Sequence, residues 1–269
     1  MAGPIRLIFS FWDTLRKSRR EPLFNATLSS SMRNKIYKEQ FCSDKRDFTG
    51  TLGRVVVVEN TTFAEATKYC NYGKTAVLNF ANPEVPGGGV TTGSTAQEEC
   101  LCRSSNLYPV IKSFYAHEYY SYNRKHRFTF TDRIIYSPDI YVFKTDDPIP
   151  KLLDRSEWFT VDIITCAAPK YYLMKKNTSV LFDIFKNRIT NILEVAIDNG
   201  VKNIILGAFG CGAFANPPEI VAQAFREVII ENNYMQAFDN IVFAIKKGKN
   251  RNFEVFQREL SCQESTYKI

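Results

Sequence analysis

Short apolar runs alternate along the chain with segments in which apolar residues recur at a helical period. The predicted strands are residues 54–59, 75–80, 134–143, 158–166, 203–206 and 240–245. The predicted helices are residues 62–71, a segment from about 94, and residues 108–122, 180–199 and 217–232. Because continuous apolar strands separated by helices are typical of a sheet covered on both faces, the pattern predicts an α/β fold with a largely parallel sheet.

The positive charge of the chain is concentrated near its beginning. The chain has 35 Lys and Arg against 28 Asp and Glu, a net charge of +7. Residues 1–54 hold 11 of the basic and 5 of the acidic residues. Residues 1–53 show no strand pattern, so we predict a basic helical extension packed on a core of residues 54–269. This extension either solvates a helical face or helps to hold a long polyanion.

Composition argues against secretory, membrane and metal-binding classes. No apolar run approaches the roughly 18 residues of a spanning helix, and the apolar start is too short for a signal peptide. With His117 and His126 as the two histidines and no Cys-x-x-Cys spacing, we expect neither a metal nor a cofactor. The cysteines predict reduced thiols and an intracellular, cytoplasmic protein, or a nuclear one in a eukaryote. They are Cys42, Cys70, Cys100, Cys102, Cys166, Cys211 and Cys262.

Two glycine-rich loops follow predicted strands. Their glycines are Gly87, Gly88 and Gly89 in the first loop and Gly207, Gly210 and Gly212 in the second. Ligands of open α/β sheets bind beyond the carboxyl ends of the strands, where both loops lie. The second loop precedes a helix that we expect Asn216 to cap, and free N–H groups near a helix start bind phosphate. For the first loop, a flexible turn is the alternative.

Two neighbouring acids, Glu98 and Glu99, follow the first loop. The spacing from Ser94 to Gln97 is that of a capping box, which puts both acids in the first turn of a helix. Acids there can simply complement the helix dipole. Alternatively, a carboxylic acid can protonate the leaving oxygen of a glycosidic bond. The helix terminus lowers a carboxyl pKa whereas burial and a second carboxylate raise it, and the sequence leaves this balance open.

The first loop and the acids together resemble a known family. Residues 77–89 followed by residues 97–99 are similar to the signature of microbial-type poly(ADP-ribose) glycohydrolases, and residues 210–216 resemble the diphosphate loop of that family. The resemblance spans roughly residues 50–250. It implies a three-layer α/β/α macrodomain with a mixed, largely parallel central sheet and an N-terminal helical extension. It also implies hydrolysis of ribose–ribose bonds in poly(ADP-ribose), which reverses ADP-ribosylation as in the DNA damage response.

The resemblance also implies a role for individual residues. Glu99 would be the catalytic acid, and Glu98 would orient the substrate through ribose hydroxyls. The implied substrate-binding residues are Asn82 at the distal ribose, Gly87, Gly88 and Gly89 on the diphosphate side, Gln97, the phosphate-binding Gly210, Cys211, Gly212 and Ala213, Phe214 on the ribose, and Phe243 on the adenine. Core packing is the alternative for Phe214 and Phe243. No base is evident that would make Cys211 a nucleophile.

The implied partners are poly(ADP-ribose), ADP-ribose and ADP-ribosylated macromolecules, without a membrane or a direct nucleic-acid ligand. Three alternatives stay open at the level of the sequence. The chain could be a non-catalytic ADP-ribose reader, a hydrolase of single ADP-ribose groups attached to protein or nucleobase, or a basic nucleic-acid-binding protein. The presence of both acids argues against the reader, because reading requires only the pocket.

Overall fold

A single mixed sheet forms the centre of the protein. The computed structural model describes residues 3–48, 52–126, 131–173, 177–248 and 250–261, so Cys262 lies outside the described residues. The sheet has seven strands in the order β1-β4-β5-β3-β6-β7-β2. They are β1 Lys35–Tyr37, β2 Arg54–Val58, β3 Thr75–Phe80, β4 Ile134–Val142, β5 Phe159–Cys166, β6 Asn203–Leu206 and β7 Asn240–Ala244.

The strand directions confirm the predicted mixed, largely parallel sheet. Strands β5, β3, β6, β7 and β2 run parallel to one another. Strands β1 and β4 continue the sheet at one edge with antiparallel pairing. The parallel strands are the continuous apolar runs of the sequence, because side chains on both of their faces are covered.

Helices cover both faces of this sheet. They are α1 Pro4–Ser18, α2 Leu23–Met32, α3 Thr62–Ala66, α4 Gln97–Ser104, α5 Leu107–Ile111, α6 His117–Lys125, α7 Thr178–Asp198, α8 Pro218–Arg226 and α9 Asn252–Leu260. Successive side chains of β3 point to opposite layers. Leu78 belongs to one buried cluster with Phe185 of α7, whereas Val77 belongs to the other with Leu101 of α4. The predicted three-layer architecture is therefore confirmed.

The N-terminal segment packs on the layer that contains α4. Leu7, Phe11 and Leu15 of α1 are buried at helical spacing and face the core. The segment also contributes β1, which the sequence analysis did not predict, because a three-residue strand that begins with a lysine carries almost no pattern. The division of the chain at residues 53 and 54 stays a prediction.

Three other predicted segments differ from the structure. The helix predicted at residues 108–122 is two helices, α5 and α6, separated by extended backbone at Ser113 and a 3-10 turn, Phe114–Ala116. The helix predicted at residues 217–232 is α8 followed by a π-helical turn, Glu227–Glu231. The segment after the last predicted strand, for which the sequence predicts no helix, contains α9. None of the described helices is both long and apolar enough to cross a membrane.

Candidate active site

The two predicted glycine loops lie side by side in the structure. The first follows β3 and the second follows β6, and these strands are parallel neighbours. Their carboxyl ends therefore meet at the same edge of the sheet, as expected for a ligand site in an open α/β fold. The helices that follow the loops, α4 and α8, begin at this edge.

Glu98 holds the first loop together from inside the protein. Its side chain is buried and accepts hydrogen bonds from Asn82 N (2.7 Å), Gly87 N (3.3 Å) and Asn79 Nδ2 (3.3 Å). Burial raises the pKa of Glu98 to about 8, and the neighbouring Glu99 carboxylate adds to this effect, while the three donors oppose it. Glu98 therefore keeps its proton at pH values where an exposed glutamate is ionised.

Glu99 is held at one oxygen and unpartnered at the other. Its Oε1 accepts a hydrogen bond from Gly89 N at 2.9 Å. Its Oε2 is buried and has no hydrogen-bond partner among the described residues. A buried carboxylate oxygen without a partner is costly for folding, and such atoms are characteristic of functional sites.

Gly88 lies directly against the two carboxyl groups. Its φ of +53° is in the left-handed region, and a Cβ at this position would lie 2.5 Å from Glu99 Oε1 and 3.1 Å from Glu98 Oε2. Only glycine fits both the backbone conformation and the space. The first loop therefore follows the shape of the two carboxyl groups. The Gly88 N–H is hydrogen-bonded within the loop, since it donates to Val85 O.

In the second loop, unlike the first, several backbone N–H groups are not hydrogen-bonded to described residues. The N–H groups of Gly210, Gly212 and Ala213 have no acceptor within the described ranges. Gly210 has a φ of +75°, and a Cβ there would lie 2.5 Å from the Cβ of Ala168. The Cys211 N–H between them donates to Ala208 O at 3.1 Å, so the predicted phosphate contact of Cys211 is wrong. The unpaired N–H groups on either side of Cys211, next to the start of α8, form a ready site for an anion.

Both predicted helix caps near the site are wrong. The structure starts α4 at Gln97 with Ala96 as its cap residue, so Ser94 lies outside the helix. Helix α8 has Pro217 as its cap residue, and the Asn216 amide instead donates to Gly210 O (2.8 Å) and Pro169 O (2.9 Å). Asn216 thus fixes the shape of the second loop rather than the first turn of the helix.

A cavity of about 330 Å³ opens between the second loop and the start of α4. Its volume is within the usual range for small-molecule sites. Its lining includes Phe80, Gln97, Cys100, Gly210, Gly212, Ala213 and Phe214, together with Asn60 and Asp146 from other loops. Glu98 and Glu99 do not line the cavity themselves; they lie in α4 between the lining residues Gln97 and Cys100.

Several predicted substrate-binding side chains are engaged inside the protein. Gln97 accepts from Phe80 N (2.9 Å) and donates to Leu78 O (2.8 Å), which ties α4 to the end of β3. Asn82 Oδ1 accepts from the N–H groups of Glu84 and Val85 and shapes the first loop. The backbone N–H groups of the triple glycine contact protein acceptors rather than an open space.

The two candidate aromatic residues have different surroundings. Phe214 is half-buried and lines the cavity, with Lys170 Nζ 5.6 Å from its ring centre. Phe243 is fully buried and packs edge-on against Phe225 at 5.0 Å between ring centres. The candidate stacking of Phe243 on adenine is therefore wrong, and its alternative, core packing, describes the structure.

Cys211 is a buried residue of the second loop and not an activated nucleophile. Burial raises the pKa of its thiol, and the nearby Glu219 carboxylate raises it further. Its Sγ lies 3.7 Å from Phe209 O. A small side chain is what this position requires.

Sequence reasoning missed several polar residues of the cavity, among them Asn60 and Asp146. Asp146 accepts a hydrogen bond from Phe63 N at 2.9 Å, and burial raises the pKa of its carboxyl group. Asn60 directly follows β2, so the rule that ligands lie beyond strand carboxyl ends could have identified it. No motif in the sequence marks Asp146 as a residue of the cavity.

Comparison with known proteins adds to this geometry. The family model described as microbial-type PARG, catalytic domain, matches residues 14–145, which contain the first loop and both acids. The match begins inside α1. A comparison with curated proteins gave no match.

Solved structures match over nearly the whole chain. A poly(ADP-ribose) glycohydrolase from Deinococcus radiodurans in complex with ADP-ribose is 30% identical with a TM-score of 0.79, covering 90% of this chain and 98% of that chain. A poly(ADP-ribose) glycohydrolase from Thermomonospora curvata is 26% identical with a TM-score of 0.82, covering 94% and 98%. A structure of the Thermomonospora curvata glycohydrolase bound to the inhibitor ADP-HPD has the same identity and TM-score and covers 95% and 99%.

Proposed function

This chain belongs to the microbial-type poly(ADP-ribose) glycohydrolase family, and from this premise we infer that it is a glycosidase that hydrolyses the ribose–ribose O-glycosidic bonds of poly(ADP-ribose). Relatives of known structure bind ADP-ribose and the inhibitor ADP-HPD, which supports ADP-ribose as the ligand of the cavity in this chain. The observation that carries the catalytic part of the proposal is Glu99, a buried carboxyl group with one oxygen fixed and the other unpartnered.

Glu99 is the general acid in this proposal. The Gly89 N–H fixes Oε1, so Oε2 is the oxygen that carries the proton. The proton moves to the leaving ribose oxygen while the bond between that oxygen and the anomeric carbon breaks. Water then adds to the anomeric carbon and returns a proton to Glu99, which releases ADP-ribose and a shortened polymer.

Glu98 acts as an orienting residue. Its contacts with Asn82 N and Gly87 N keep the first loop against α4, which supports a role in presenting the loop to the ribose hydroxyls. With a pKa near 8, Glu98 is mostly protonated at neutral pH. A neutral Glu98 places no negative charge beside Glu99 or beside a bound diphosphate.

The second loop binds the diphosphate in this account. The N–H groups of Gly210, Gly212 and Ala213 supply donors without side-chain charges, and the start of α8 adds a favourable dipole. Phe214, at the same end of the cavity, packs on the ribose. Six cysteines of the described ranges are free thiols, which supports an intracellular site of action.

Digestion of purified poly(ADP-ribose) with the wild-type protein, with product sizes resolved, tests the proposed function. We expect free ADP-ribose to accumulate as the polymer shortens. If the protein binds ADP-ribose but leaves the polymer intact, it is a reader and the proposed function is wrong. A parallel digestion of a singly ADP-ribosylated protein shows whether linkages to protein are also cleaved.

A further inference from the structure

The outer face of α1 carries large apolar side chains that no described residue covers. Ile5, Phe9 and Trp12 are 69%, 70% and 52% exposed. Their spacing of four and three residues puts them on one stripe of the helix, opposite the buried stripe that includes Phe11. The fold does not use this stripe, and a contiguous exposed apolar stripe indicates contact with another molecule.

Positive charge surrounds this stripe. Residues 4–20, which are α1 and the two residues after it, contain five Lys and Arg against one acid, Asp13. This acid is shared by three cations: Arg16 at 2.9 Å, Lys17 at 3.5 Å and Lys144 at 2.8 Å. The surface around the aromatic rings is therefore cationic, which favours an anionic partner over a second copy of this basic segment.

Helix α1 also touches the rim of the candidate active site near both of its ends. At its start, the Pro4 carbonyl oxygen lies 2.6 Å from the point where a Cβ of Gly93 would stand, just beyond the first glycine loop. Towards its end, Asp13 binds Lys144, two residues before the cavity residue Asp146. Helix α1 thus packs beside the first glycine loop, whose Gly89 N–H binds Glu99, and its outer stripe faces away from the core next to that loop.

We propose that the outer stripe of α1, formed by Ile5, Phe9 and Trp12 with Arg6 and Arg16, is a binding site for the part of the polymer beyond the bond being cut. This inference rests on the proposed function. Because the leaving oxygen departs next to Glu99, the remaining polymer begins beside the loop against which α1 packs. Each unit of that polymer offers an adenine ring that stacks on an aromatic side chain and a diphosphate that an arginine binds.

Turnover of long chains and of the ADP-ribose dimer by a Phe9→Ala/Trp12→Ala variant tests this site. We expect KM for long chains to rise about tenfold, since base stacking on one aromatic side chain is worth roughly that factor, while kcat is unchanged. The dimer has a single ADP-ribose unit beyond the bond that is cut, so it offers one adenine to the two rings, and its KM should rise less than that of long chains. The matched control is Tyr72→Ala, which removes a 78% exposed aromatic ring. Tyr72 lies just before β3, at the amino end of that strand and therefore away from the site at the strand carboxyl ends.

A second variant tests the charge. Arg6→Ala/Arg16→Ala should weaken the dependence of the long-chain KM on salt, because fewer phosphates are then neutralised. An unchanged long-chain KM in the aromatic variant, or an equal rise for chain and dimer, would overturn the proposed site. If the aromatic variant loses binding to phosphatidylserine vesicles, or loses self-association, while its long-chain KM is unchanged, the proposed site is also overturned. Failure of the wild type to cut either substrate would instead refute the proposed function.

Discussion

The two glycine loops look alike in sequence but differ in what their backbone binds. In the first loop the N–H groups of Gly87 and Gly89 donate to Glu98 and Glu99. In the second loop the N–H groups of Gly210 and Gly212 have no acceptor within the described part of the chain. One loop therefore positions the acids, and the other is open to a ligand.

This difference changes the role that we assign to the triple glycine. The sequence resemblance implied that the first loop wraps the diphosphate. In the structure its glycines let the backbone approach two carboxyl groups closely, and Gly88 is the position at which a Cβ would collide with Glu99. We therefore assign catalysis chiefly to the first loop and ADP-ribose affinity chiefly to the second.

Among substitutions in the two loops, the largest effect is expected from Gly88→Ala. The added Cβ would meet Glu99 Oε1 at 2.5 Å, and the φ of +53° disfavours alanine, so the acid must move. A displacement of this size costs about 100-fold in kcat. Steady-state kinetics on poly(ADP-ribose) measures it, and the Kd for ADP-ribose should change by less than about threefold. An equal loss of affinity would contradict the division between the loops.

A smaller effect is expected from Gly210→Ala, with Gly212→Ala as its matched control. At Gly210 a Cβ would clash with Ala168 at 2.5 Å and the φ is +75°, whereas at Gly212 nothing lies within 4 Å. In Gly210→Ala the displaced loop loses one N–H donor to the phosphate, so the Kd for ADP-ribose should rise about tenfold or more. In Gly212→Ala the Kd should rise less than about threefold. Calorimetric titration measures both, and similar values for the two variants would count against the second loop as the anion site.

The smallest effect concerns the pH dependence of stability. The pKa of Glu98 is raised from 4.5 to about 8 by folding, so the folded protein keeps a proton that the unfolded chain loses. The resulting stabilisation is complete below pH 4.5 and is lost as pH rises through about 8. Urea unfolding of wild type and Glu98→Gln across this range should show a decline that is larger by a few kcal/mol in the wild type. Parallel curves would show that Glu98 titrates normally.

The sequence predicted the parts of the fold that depend on repeated patterns. Residues 203–206 form β6 with the predicted bounds, because a short β-branched run between a glycine and a loop has one interpretation. The three-residue strand β1 and the helix α9 carry too little pattern to be predicted. Glu98 and Glu99 have different surroundings, because adjacent helical positions point about 100° apart.

The parts of the site that could not be predicted depend on side-chain direction and on contacts between distant segments. The sequence puts Phe214 in the second loop and Phe243 in a strand, but it does not show which side chain faces the cavity and which faces the core. Likewise, the sequence does not show that Gln97 binds the backbone of β3, because that contact depends on how α4 crosses the sheet. Asp146 enters the cavity from a separate segment of the chain.

The central claim is that Glu99 supplies the proton while the second loop supplies the affinity. Its most direct test is Glu99→Gln, which keeps the size of the side chain and the acceptor for Gly89 N but removes the acidic proton. We predict that its rate of poly(ADP-ribose) hydrolysis falls by about 100-fold or more while its Kd for ADP-ribose stays within about threefold of wild type. Hydrolysis at the wild-type rate would contradict the account.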